Sequence, residues 1–141
     1  MQNGQPVTTI IQIPADAVDE EVTVVYHQFN ETTLEKPKGK DFVTHFTLKV
    51  YKNGELQPGF EFLVPVQISM QYNPTDWDVE TFDVMGWSET DVRGWQNDGI
   101  EIVKNDVNNN MIVFTLQNTT PDEFSLIGIH EYIFYFPLIL R

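Results

Sequence analysis

Val66-Gln67-Ile68-Ser69-Met70-Gln71-Tyr72 is the stretch that decides the fold class. Val66, Ile68, Met70 and Tyr72 fall on one side of an extended chain and Gln67, Ser69 and Gln71 on the other, because successive side chains of a strand point to opposite faces. Such alternation predicts a strand with one buried and one wet side, the arrangement of an antiparallel sheet. Phe42, Phe46, Leu48 and Val50 make a second such face. Further strands are predicted over 7–13, 22–29, 59–64, 79–87, 100–104, 111–116, 123–127 and 132–140, about ten in all.

Turn chemistry separates several of these runs. Lys52-Asn53-Gly54-Glu55 is a hairpin signal, since Asn-Gly readily adopts the positive φ angles of a tight turn, and Asn108-Asn109-Asn110 does the same less specifically. Apolar residues at helical spacing never run for more than about ten residues without a Pro, a Gly or a β-branched interruption. At most 14–18 or 89–95 forms a single helical turn. The predicted fold is therefore all-β, an antiparallel β-sandwich with Greek-key connections. The polar, charged stretch 30–40 is expected to be its least ordered part.

A length of 141 residues fits one domain over 1–141, with no linker and no internal repeat. Hydrophobic residues at 41% and charged residues at 21% are ordinary values for a chain that folds. The formal charge of -13 opposes approach to nucleic acid and to anionic membrane surfaces. Solubility is its plain reading, and calcium the competing one. Without cysteine there is no disulfide framework and no thiolate chemistry. Met1-Gln2-Asn3-Gly4 lacks the charged and apolar regions of a signal peptide, which suggests a cytoplasmic chain or an excised piece.

Residues 131–141 are expected to form an apolar C-terminal strand or tail. The run 132–140 is much shorter than the roughly 20 residues of a spanning helix. Left free it is an aggregation hazard, so it is expected to pair with the domain's own sheet or with a second chain, giving a monomer or a strand-exchanged dimer.

Candidate chemistry is sparse. A hydrolase triad needs a nucleophile, a histidine and a carboxylate brought together. Ser69, Ser88 and Ser125 lie in no nucleophile elbow, and His27, His45 and His130 sit in strand-like contexts, where a sheet-surface or hydrogen-bonded histidine is the commoner use. The histidines are too dispersed for a zinc motif. Asp76, Asp78, Glu80 and Asp83 form the densest run of carboxylates and are the calcium candidates, although the glycine of an EF-hand loop is missing and a solvated loop is the simpler reading. Trp77, Trp87 and Trp95, with Tyr26, Tyr51 and Tyr72, could stack on sugar rings; alternatively, two of the three tryptophans fill the core. Asn30-Glu31-Thr32 and Asn118-Thr119-Thr120 match the glycosylation sequon and are read as loops.

The segment Thr9-Ile10-Ile11-Gln12-Ile13-Pro14-Ala15-Asp16-Ala17-Val18 resembles the opening of the ZU-five domain, a β-sandwich module, with Asp16 in place of the usual glycine. Small modules of secreted and surface bacterial proteins are similar over more of the chain. They share Phe46-Thr47-Leu48-Lys49-Val50-Tyr51-Lys52-Asn53-Gly54, Phe60-Glu61-Phe62-Leu63-Val64-Pro65-Val66, the pair Trp87 and Trp95, Glu123-Phe124-Ser125-Leu126-Ile127-Gly128 and the ending Tyr135-Phe136-Pro137-Leu138-Ile139-Leu140-Arg141. The resemblance implies an extracellular or cell-surface accessory module that docks neighbouring domains of a larger chain or a protein partner, without catalysis or cofactor; its missing leader would reflect trimming. Some ZU-five relatives cut their own backbone at a His-Phe-Ser site. Here Glu123 precedes Phe124-Ser125, so the local sequence supplies no base to Ser125 and no self-cleavage is expected. The competing functional readings are a carbohydrate-binding module and a calcium-stabilised adhesion domain.

Overall fold

The computed structural model describes residues 8–130. The predicted strand at 132–140 lies outside them. Ten strands follow in order: β1 (Thr9–Gln12), β2 (Thr23–Phe29), β3 (Asp41–Lys52), β4 (Glu55–Leu56), β5 (Glu61–Gln71), β6 (Trp77–Trp87), β7 (Trp95–Gln96), β8 (Ile100–Asp106), β9 (Met111–Asn118) and β10 (Glu123–His130). The described residues contain no helix, so none is long and apolar enough to cross a membrane. The 14–18 and 89–95 stretches make turns closed by bonds such as Ala17 N to Pro14 O at 3.0 Å and Asp91 N to Ser88 O at 3.0 Å.

Two antiparallel sheets result. One has the order β1-β5-β9-β8; the other runs β2-β3-β10-β6-β7, with β4 paired to β3. The last two strands are inserted centrally, β9 between β5 and β8 and β10 between β3 and β6, as Greek-key connections require. Local chemistry explains the details. Asn53 (φ 51°) and Gly54 (φ 78°) take the two left-handed positions of the β3–β4 turn, and Asn110 (φ 54°) does so before β9. Pro65 cannot donate to a ladder, and it sits within the irregular stretch where the β5–β9 register shifts between Glu61 and Val66.

The inner faces share one core. Phe46 stacks on Phe124 at 5.0 Å between ring centroids and approaches Phe114 from the opposite sheet at 5.9 Å. Val66, Ile68, Met70 and Tyr72 are buried, as their alternation predicts, and so are Phe46, Leu48 and Val50. Phe42 departs from that set. The β3–β10 register shifts between Leu126 and Ile127, pairing Leu126 with Thr44 but Ile127 with Phe42, and the extra residue Val43 packs against the core. The bulge turns Phe42 onto the outer face, against His45 at 4.5 Å and Trp95 at 5.5 Å. Of the three tryptophans only Trp77 joins the core, rather than two; its ring stacks on His130 at 4.1 Å. At Gly128 an added Cβ would meet Phe82 Cδ1 at 2.6 Å, so only glycine lets β10 pass that ring.

Candidate functional site

Strand alternation sends every second residue of the six-stranded sheet outward, away from the core. Register aligns Phe29, His45, Ser125 and Met85 across β2, β3, β10 and β6, and aligns Glu123 with Trp87 and Trp95 across β10, β6 and β7. This part of the outer face is aromatic; further along β2 and β3 the same face exposes His27 and Lys49. Segment 30–40, expected to be poorly ordered, crosses it as a strap without regular secondary structure. Thr32 Oγ1 donates to Glu123 Oε2 at 3.0 Å, the Trp95 indole N–H donates to the Glu35 carbonyl at 2.6 Å, and Lys40 Nζ donates to the Thr81 carbonyl.

Beneath the strap lies a polar cluster. His45 Nδ1 and Ser125 Oγ share a hydrogen bond at 2.7 Å, and the same nitrogen lies 3.6 Å from Glu123 Oε1. Ser125 is fully buried and His45 nearly so, at 2%. Burial pushes the His45 pKa down to about 4, so the ring is neutral at pH 7. Burial also pushes the Glu123 carboxyl up, opposed in part by the Thr32 hydrogen bond. Glu123 Oε1 is buried and has no hydrogen-bond partner among the described residues. The local sequence offers Ser125 no base, and folding brings one from β3. Only the β3–β10 register, which sets Ser125 opposite His45, reveals this; residues 80 apart carry no mutual sequence signal.

The cluster differs from a hydrolase triad in its geometry. In a triad the nucleophile and the orienting carboxylate hold opposite ring nitrogens of the histidine. Here Ser125 and Glu123 both face Nδ1, and the hydroxyl has no path to solvent. Ser69 is half-buried on β5, and Ser88 is buried with Oγ 3.5 Å from the Thr120 carbonyl. His27 is exposed, and His130 Nε2 lies 2.9 Å from Asp41 Oδ2.

An accessible groove of ≈ 540 Å³ lies between the strap and the edge of the sheet. Its floor is Met85, Trp87 and Trp95, and Leu34 and Pro37 of the strap line it from the other side. Lys36, Lys38 and Arg93 also line it. Trp87 and Trp95 thus come together as a half-buried cross-strand pair, while Trp77 lies apart in the core. Tyr26 stacks on Phe46, and Tyr72 packs against Phe82 and donates to Asn105, so neither belongs to this floor.

The calcium candidates are not assembled into a cage. Asp78 Oδ1 accepts the Glu80 N–H at 3.3 Å, and Asp83 Oδ1 accepts the Val84 N–H at 2.8 Å, so two of these carboxylates cap local backbone. Among the described residues, Asp76 included, no group of three or more His, Cys, Asp or Glu side chains converges to hold a metal ion.

No family model matches the chain, and no curated protein or solved structure matches it either.

Proposed function

We propose that this domain is a non-catalytic accessory module that holds a ligand or a neighbouring domain on the outer face of its six-stranded sheet. One contrast supports the reading. The Ser125–His45–Glu123 cluster, which has the residue types of a hydrolytic site, is closed off beneath the strap, whereas the accessible groove carries aromatic rings and no serine, cysteine or histidine. A substrate carbonyl needs about 3 Å access to a nucleophile and a separate set of oxyanion donors. A buried serine in the middle of a strand offers neither. The polar cluster instead anchors the strap through Glu123 and Thr32, and the strap forms one wall of the groove.

The extracellular or cell-surface setting comes from the resemblance to bacterial surface modules and belongs to the same proposal. A fluorophosphonate probe of serine nucleophiles tests the non-catalytic reading: the folded chain is expected to stay unlabelled, and a phosphonylated Ser125 in the mass spectrum would overturn it. The specific observation favouring a second reading, carbohydrate binding, is the cross-strand pair Trp87 and Trp95 on the groove floor.

A further inference from the structure

We infer that the Trp87–Trp95 groove takes an acidic polysaccharide, a chain of uronate sugars whose apolar ring faces rest on the indoles while their carboxylates meet Lys36 and Lys38. The inference rests on the reading of the domain as a non-catalytic binding module.

Charge carries the first half. The chain has 21 acidic and 8 basic residues, yet Lys36, Lys38 and Arg93 all line this groove and Glu35 is its one acidic lining residue. The lining itself thus carries three cations and one carboxylate, with Asp41, Asp91 and Asp98 bordering it. Arg93 is committed to Asp91 at 2.7 Å and Asp98 at 2.6 Å, so the lysines supply the available charge. For Lys36 the nearest carboxylate, on Asp41, is 3.9 Å away, and both side chains are well exposed. Lys38 is exposed in a built position: Lys40 N donates to Pro37 O at 3.1 Å and Gly39 has φ +80°, a turn with glycine at its third residue that sets Lys38 at the tip. Lys40 itself is held by Thr81 and anchors the end of the strap.

Shape carries the second half. Adjacent strands lie about 4.8 Å apart, close to the length of one sugar unit, and Trp87 and Trp95 are direct register partners on β6 and β7. Both side chains therefore leave adjacent strands on the same side of the sheet, and Trp95 is held by its hydrogen bond to the strap. An acidic peptide fits less well. Extended peptides bind by adding a strand to an open sheet edge, and the edge strand at this groove, β7, is only two residues long. A neutral glycan would use the indoles and leave both lysines without a role.

The test uses the whole 141-residue chain. Tryptophan fluorescence and affinity electrophoresis are run with polygalacturonate and alginate, alongside a neutral galactan and poly-glutamate. Both uronate polymers are expected to shift the emission and retard the protein, with binding weakened at high salt. The double variant K36Q/K38Q changes only exposed side chains and should retain the wild-type melt while losing about tenfold in affinity. Trp87→Ala should lose binding more completely. No uronate binding, or equal binding by K36Q/K38Q, would overturn the inference. Equal binding of galactan, or tighter binding of poly-glutamate, would overturn it too while leaving the binding-module reading in place; only a labelled Ser125 removes that reading itself.

Discussion

The two outer faces of the sandwich are built from the same alternating strands and end up opposite in character. On the four-stranded sheet, Gln12, Gln67, Ser69 and Gln71 point outward, and the Gln67 amide donates to Gln12 Oε1 across the strands at 2.8 Å. That face is wet, with isolated apolar residues such as Ile10 at 46% exposure. On the six-stranded sheet the outward residues include Phe29, Phe42, His45, Met85, Trp87 and Trp95, and a strap covers part of them. The first face contributes by being polar enough to meet water. The second is a partial second core, and its uncovered remainder is the groove. A sheet face that breaks the one-side-wet rule marks where a sandwich can hold something, because its apolar side chains need a cover.

Both faces depend on the shared core, which sets the scale of every comparison. Phe46→Ala is expected to cost about 3–5 kcal/mol in urea unfolding, since its ring contacts Phe124, Phe114 and Tyr26 at once. A loss under about 1 kcal/mol would mean that the sheets are not packed through this residue.

A pH series separates the faces more sharply, because only the strapped face buries a histidine. The His45 pKa falls from 6.5 in the unfolded chain to about 4 in the fold. The unfolded state thus binds more protons between these values, and stability drops as pH falls from about 6.5 through 4. The size is on the order of 3 kcal/mol. Glu123 acts with the opposite sign: its raised carboxyl pKa favours the fold at low pH and loses that contribution as pH rises. Urea midpoints from pH 7 down to pH 4 should therefore decline in the wild type and flatten in His45→Gln. An unchanged slope in the variant would place the titration elsewhere.

The smallest effect is local. Thr32→Val removes the hydrogen bond that ties the strap to Glu123 and should cost about 1 kcal/mol, with faster amide exchange in 30–40 and little change in β5 and β9. A matched substitution on the wet face, Gln67→Ala, should stay within about 0.5 kcal/mol. Equal costs at the two positions would remove the distinction between the faces.

These two faces also differ in how far the sequence foretold them. Alternation in 66–72 identifies a strand and its buried side without any knowledge of its neighbours, and Asn53-Gly54 identifies a hairpin by backbone chemistry alone. Both are local signals. The strapped face depends on register: Phe42 moves outward because of one extra residue in β3, and His45 meets Ser125 because β10 lies beside β3. The strap has no regular secondary structure, and its attachments carry no sequence signal because they are single hydrogen bonds to distant residues rather than a periodic pattern. The pair Trp87 and Trp95 was visible as residues, and its meeting was not, because β7 turns back on β6 through a loop with no strong hairpin signal.

The central placement of β9 and β10 has a consequence for synthesis. Both strands come late in the chain, and each forms the spine of its sheet. Until residues 111–130 have left the ribosome, β5 has no β9, and β3 and β6 have no strand between them. The nascent chain therefore carries open strand edges, and the two sheets can close only after residues 111–130 have been made. For that interval it depends on its own negative charge, or on a chaperone, to keep those edges apart from those of its neighbours.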